Sequence, residues 1–342
     1  MLTGTLITVP TTSAELLPAA LSARLDGLDI LSRKLLAGKL QGERRSKRRG
    51  RSVEFDDYRE YTLGDDLRHI DWNVLARLDR FFIKVFQEEE DLALQIVLDA
   101  SASMNAGAPD EHNKLLFGAR LAAALGYIGL VNNNRVRLTI IGPRGVKQLE
   151  PLRGRRSAER VTQFLLQHAF ESLAAAPATG VPQLSPGEAF TAALRACAGG
   201  AAGRGVLAVI SDFFIAAPGY EPGLRMLASA GTGGNGRAGT TSGALDVFLM
   251  QTLAPSELDP LAGERGPAML GDLRLMDAET GAAAEVTITP ELAAAYQRTL
   301  RQSIENLRAF AARLGLHHQL VRTDIPLHEF IVNTLRRAGL LK

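Results

Sequence analysis

The sequence predicts an α/β protein: a mostly parallel sheet with helices on both faces, an N-terminal helix and a small β-rich insertion. Two runs carry that expectation, 92–98 (LALQIVL) and 205–210 (GVLAVI). Each is apolar almost throughout, which marks a strand buried on both faces inside a parallel sheet. Each is followed closely by a carboxylate, Asp99 in one case and Asp212 in the other. Between and beyond them, strand-like and helix-like segments alternate, the pattern of a sheet covered by helices on both sides.

Taken in order, leucines 16, 17, 21, 25, 28, 31 and 35 fall mostly at steps of three and four and predict an amphipathic helix over 14–37. Seven cations follow within 39–51. They read as an anion or nucleic-acid patch, or as a solvated loop facing the acids at 56, 57, 65 and 66. No aromatic residues interleave with them for base stacking, which argues against nucleic acid. Partial alternation over 51–61 and the apolar run 81–86 predict two strands of a β-rich subdomain, with a turn at 64–66. Three segments result: 1–50 as helix and basic linker, 51–90 as the β-rich subdomain, and 91–342 as the main α/β domain.

Within that domain a helix is expected at 113–131, then strands at 136–141 and 146–149 around the turn 142–145, a hairpin suited to an antiparallel edge. Helices at 157–172 and 187–197 flank a Pro/Ala-rich loop at 175–186. After the strand 205–210 come a helix at 221–230 and a Gly-rich stretch at 231–243. That stretch contains a formal G-x-G-x-x-G, but it follows a helix and leads into no helix, the reverse of a dinucleotide fingerprint, so it reads as a linker. A strand at 245–249, a hairpin over 273–288, a helix from Pro290 to residue 314, a strand at 317–321 and a closing helix at 326–338 complete the chain. Pro290 suits a first turn, where its missing N–H is no loss.

With 342 residues and 46% hydrophobic content the chain can bury a large core, and 39 basic against 37 acidic residues favour no particular partner. A single cysteine, Cys197, excludes an internal disulfide and fits a small core residue in a reducing compartment. No apolar stretch reaches the ~18 uninterrupted residues of a membrane span, since Arg120 breaks the nearest candidate, 115–131. With no basic n-region leading an apolar run at the N-terminus, the expected location is cytoplasmic.

The motif Asp99-x-Ser101-x-Ser103 after a buried strand sets one carboxylate and two hydroxyls on the crest of the sheet, where open α/β folds bind ligands. Hard oxygens in that number suit Mg²⁺. The alternative is that these residues cap the next helix. The motif resembles the metal-ion-dependent adhesion site of von Willebrand factor A domains. Upstream, the run from Arg51 and Phe55 through Arg59 and Tyr61, then Asp65, Asp66, Arg68, Asp71 and Trp72, resembles the signature of the bacterial "domain of unknown function 58" family, which carries a von Willebrand A-like domain. That resemblance implies a Rossmann-like sheet and a cation, Mg²⁺ or Mn²⁺, held by Asp99, Ser101, Ser103 and Asp212. Where the adhesion pattern has a Gly-Thr this chain has Gly187-Glu188, leaving Glu188, with Ser185 nearby, as a substitute ligand, or Glu188 as a block on the position an incoming ligand would take. The resemblance also implies partnership with a MoxR-type AAA ATPase in chaperone-like assembly. The density of charged residues from Arg51 to Asp71, with Trp72 beside them, reads as an internal salt-bridge lattice or as an interaction surface.

No P-loop, G-x-S-x-G elbow or H-E-x-x-H appears. The expected function is therefore a non-enzymatic interaction module whose cation takes an acidic side chain from a protein partner. The alternatives are a metal-dependent phosphohydrolase built on Asp99, Asp212 and Glu188, or nucleic-acid binding through 39–51.

Overall fold

The structure is a computed structural model that describes residues 9–32, 54–62, 70–87, 92–105, 112–142, 144–171, 185–200, 205–215, 219–231, 245–261, 271–276 and 283–342. The expectation on the basic segment 39–51 and all but the first residue of the Gly-rich stretch 231–243 lie outside these residues, as does the turn of the hairpin expected over 273–288. So do Arg51, Asp65, Asp66 and Arg68. The chain divides into two compact units, Gly42–Asp91 and the remainder.

The smaller unit is built on strand β1 (Glu54–Glu60) paired antiparallel with β2 (Phe82–Gln87). A short helix lies between them, Trp72–Leu78; Asp71 caps it, accepting from the backbone N–H of Asn73 at 2.9 Å. Ile70 bridges to Ile83, and the rings of Tyr61 and Phe81 lie 6.1 Å apart.

The larger unit is organised by a six-stranded sheet. Its strands are β3 (Ala93–Asp99), β4 (Arg135–Gly142), β5 (Gly145–Leu152), β6 (Gly205–Ser211), β7 (Leu245–Leu253) and β10 (His317–Arg322). Across the sheet they stand in the order β10-β7-β6-β3-β4-β5. All pair in parallel except β5, the antiparallel edge. Strands β3 and β6 are buried along almost every residue, as their unbroken apolar runs require. A separate antiparallel hairpin, β8 (Gly271–Met276) with β9 (Ala283–Ile288), precedes the long helix Pro290–Arg313.

Residues of β3 alternate between two cores. Leu94, Ile96 and Leu98 face the helix Lys114–Val131, which is buried on nearly all sides. Three of its glycines allow the close approach: a Cβ on Gly129 would lie 2.7 Å from Val136 and 2.9 Å from Leu94. On the other face, Val97, Leu207, Val209, Val247 and Leu249 pack with the helices Pro186–Gly200, Glu221–Gly231 and Pro290–Arg313. Cys197 is fully buried there, 3.7 Å from the Thr139 hydroxyl. Among the described residues the helix Lys114–Val131 is long and apolar enough to cross a membrane by composition, Arg120 notwithstanding, but 89% of it is buried inside the protein.

The N-terminal expectation of one helix over 14–37 is corrected. Two short helices form, Ser13–Leu16 and Ala19–Leu25, broken at Pro18. Proline supplies no N–H and forces the residue before it out of the α region; Leu17 sits at φ −131°, ψ 79°. Beyond them the chain extends: Ile30 bridges to Leu341, and Leu31 N–H donates to Leu340 C=O at 2.8 Å. Residues 33–37 lie outside the described set. The closing helix at 326–338 is also irregular, with a π-helical stretch at Phe330–Leu335.

Candidate functional site

The strand order reverses between β3 and β6. The chain leaves β3 toward β4 on one side and leaves β6 toward β7 on the other. In open α/β sheets this switch point opens a crevice at the carboxyl ends of the strands. Asp99 ends β3, and Asp212 follows directly after β6.

Both carboxylates are buried, Asp99 at 3% and Asp212 at 1% exposure. Asp99 accepts from the Ser211 hydroxyl at 2.6 Å and from the Ser101 backbone N–H at 3.0 Å. Burial and the neighbouring charge of Asp212 nevertheless push its pKa up to about 6. The half-buried hydroxyls of Ser101 and Ser103 lie 3.1 Å apart, Ser101 just before and Ser103 within a short 3₁₀ turn, Ala102–Asn105. The following long helix has its own cap, Asn113, whose side chain accepts from Leu116 N–H at 3.0 Å.

Asp212 has a partner that sequence reasoning missed. Lys114, completely buried, donates to Asp212 Oδ2 at 2.8 Å and to Glu257 Oε1 at 2.6 Å. Its ammonium also sits 4.9 Å from the centre of the Phe214 ring. Burial raises the Glu257 pKa against the opposing pull of Lys114. The other Glu257 oxygen accepts from Ala254 N–H at 2.8 Å, which closes the turn after β7. Nothing in the spacing of 114, 212 and 257 announces the triad. The one signal in the sequence is a lysine opening a helix whose only other charged residue is Arg120.

The turn after Asp212 is strained. Phe213 adopts φ +57°, a conformation bulky side chains rarely take. It is held by hydrogen bonds from Phe213 N–H to Ser211 Oγ and from Phe214 N–H to Asp212 Oδ1, each 3.0 Å. The result points Phe213 inward and leaves Phe214 exposed. A second tether comes from β10 and β7: His318 Nε2 and Gln251 Oε1 lie 3.0 Å apart, and Gln251 donates to the Asp212 carbonyl at 3.2 Å. Burial and then the charge of Arg308 lower the His318 pKa to about 4.

Glu188 and Ser185 form a capping box at the start of the helix Pro186–Gly200. Glu188 Oε2 accepts from Ser185 N–H at 2.9 Å and from its hydroxyl at 2.8 Å, and Ser185 Oγ accepts from Glu188 N–H at 3.3 Å. The two bonds from Ser185 hold the Glu188 carboxyl below the ordinary carboxylate range. Their mutual bonding accounts for this pair without a cation. Among the described residues no three His, Cys, Asp or Glu side chains converge as a metal cluster. The oxygens that fit a hard cation are those of Asp99, Ser101 and Ser103, with Asp212 adjacent and partly committed to Lys114.

Of the expected interaction surface, Trp72 is 62% exposed, whereas Asp71 is buried as a helix cap. Tyr61 is half-buried against Phe81. Phe55 and Arg59 lie on β1.

Comparisons with known proteins agree with the family suggested by the signature. The family described as "Protein of unknown function DUF58" matches residues 57–232, just over half of the chain. Uncharacterized proteins of Mycobacterium tuberculosis and Mycobacterium bovis are each 27% identical over 273 residues, covering 80% of this chain and 75% of theirs. Among solved structures, the conserved hypothetical protein BatB from Bacteroides thetaiotaomicron gives a TM-score of 0.37 at 16% identity, over 72% of this chain and 98% of that one. A point mutant of the PilB minor pilin from Streptococcus sanguinis gives 0.35 at 9% identity, over 76% and 65%.

Proposed function

We propose, for a chain that belongs to the DUF58 family of proteins of unknown function, that it is a non-enzymatic interaction module with a divalent-cation site on the crest between β3 and β6. The observation that carries this reading is the charge of the crest. Asp99, Asp212 and Glu257 bring three carboxylates to buried or nearly buried positions, and the one ammonium among them is Lys114. Counted as ionised, three carboxylates against one ammonium leave an excess of two negative charges; burial and then the charge of Asp212 raise the Asp99 pKa. A divalent ion balances that excess, and Asp99 with the Ser101 and Ser103 hydroxyls supplies the hard oxygens that Mg²⁺ or Mn²⁺ takes. When bound, such an ion offers a coordination position that a carboxylate of a protein partner fills in place of water.

The partner class follows from the family resemblance: a MoxR-type AAA ATPase, with which this chain would act in assembly or maturation of a third protein. The exposed Trp72, with Leu78 and Phe81, gives the smaller unit an apolar surface of its own for such contacts.

The test is a thermal melt of wild type and Asp99→Ala in Mg²⁺, Mn²⁺ or chelator. A ligand that binds only the folded state stabilises by RT ln(1 + [L]/Kd). A rise in wild-type melting temperature with metal, absent from the variant, supports the site. A wild-type melt indifferent to metal and chelator overturns it. Pull-downs of a MoxR-type ATPase with and without chelator then test the partner, and capture indifferent to both chelator and Asp99→Ala removes the cation from the interaction.

A further inference from the structure

Beside the crest runs a feature that the cation reading does not use. A groove of about 750 Å³ lies between the 213–215 turn and the helix Pro290–Arg313. A second of about 430 Å³, sharing Tyr220 and Asn306 with it, extends the line toward Arg313. One wall is helical: Arg298, Gln302, Asn306 and Arg313 recur at helical spacing along one exposed face. Beneath the groove a ladder of edge-to-face rings runs from the opposite wall to Phe310 on the helix itself. Phe190 to Phe213, Phe213 to Tyr220 and Tyr220 to Phe310 are 5.7, 6.3 and 6.3 Å between centroids. Rings packed in this way make a rigid, pre-formed base. The strained Phe213 backbone adds the exposed ring of Phe214 at the lip.

Among the described residues, the lining charge left outside ion pairs has one sign. Glu221, its single lining acid, is already matched by Arg225 at 2.9 Å. Arg298 makes no ion pair among the described residues, and Arg313 lies over the Phe310 ring at 5.6 Å with its charge facing no carboxylate there. Between the two arginines the lining offers amides and hydroxyls, the groups that hydrogen-bond an extended backbone. An aromatic lip, a polar middle and cations toward both ends fit a short extended peptide better than a compact small molecule, which is ordinarily enclosed.

We infer that this groove is a docking site for an acidic segment of a protein partner, one that sets an aromatic or aliphatic side chain against Phe214 and carboxylates against Arg298 and Arg313. The inference stands apart from the cation reading, because none of these contacts uses Asp99, Ser101 or Ser103. Charge complementarity selects the occupant: two cations left unmatched within the described residues in a groove with a rigid apolar base attract an acidic chain and disfavour a basic one.

The experiment is fluorescence anisotropy of the full chain with a short labelled peptide, a central phenylalanine flanked by aspartates, in chelator and moderate salt. Saturable binding is expected, weakened about tenfold by Arg298→Glu and by Arg313→Glu. Arg301→Glu, on the same helix but outside the groove, is expected to leave it within about twofold. Circular dichroism of each variant secures that it is folded. Equal losses from Arg298→Glu and Arg301→Glu would mean non-specific attraction to a basic helix and overturn the inference. So would equal binding of a peptide with lysines in place of the aspartates, or no saturable binding. Because chelator is present throughout, a negative result leaves the cation site standing, and a negative metal melt leaves the groove standing.

Discussion

At the scale of single residues, Lys114 decides how the crest is built. A fully buried ammonium is tolerated only when paired, and here it is shared by two carboxylates. Lys114→Met removes the charge at similar volume and strands Asp212 and Glu257. We expect a loss of about 3–5 kcal/mol in urea unfolding, the size seen when one member of a buried pair is deleted. A loss under about 1 kcal/mol would show that the ammonium is not what holds these acids. Asp99 behaves in the opposite way. Its folded-state pKa, about 6, lies above the ordinary carboxylate value of 3.8. The folded state therefore holds the extra proton between those values, so the ionised carboxylate's cost is absent below about pH 4 and present in full above pH 6. In chelator, Asp99→Asn is expected to gain on wild type as pH rises through that window, by on the order of 1–3 kcal/mol. A stability difference that stays flat from pH 4 to 7 would refute the assignment of strain to this carboxylate.

At the scale of elements, local rules were legible where one principle dominates. The apolar runs at β3 and β6 and the proline at the head of the long helix formed as expected. The single N-terminal helix did not, because Pro18 interrupts the leucine spacing and splits it in two. The β3–β6 pair also carries a requirement invisible in one strand alone. Gly205 opposes Ala93, and a Cβ there would fall onto the Ala93 carbonyl oxygen. Backbone cannot give way as a flexible side chain can, so Gly205→Ala is expected to lower stability by about 1–3 kcal/mol in chemical denaturation. Tolerance of the alanine would mean that the two strands do not approach as closely as described.

At the scale of the whole molecule, the sequence by itself determined the fold class and the fact that Asp99 and Asp212 end buried strands. Those follow from periodicity and from apolar runs, which are local and one-dimensional. It also displayed the family signature, which the match over 57–232 bears out. Tertiary structure alone decided which charges meet. Lys114, Asp212 and Glu257 are separated by 98 and 143 positions from lysine to each acid, and no periodicity links them. It likewise turned Glu188 toward its own helix start, because a capping box needs only its neighbour Ser185. The groove exists only because the turn after β6 and the helix 290–313 stand side by side. Hydrophobic pattern specifies where each element buries its face. The pairing of charges and the shaping of grooves depend on which elements the sheet order brings together, and that order is a property of the assembled chain.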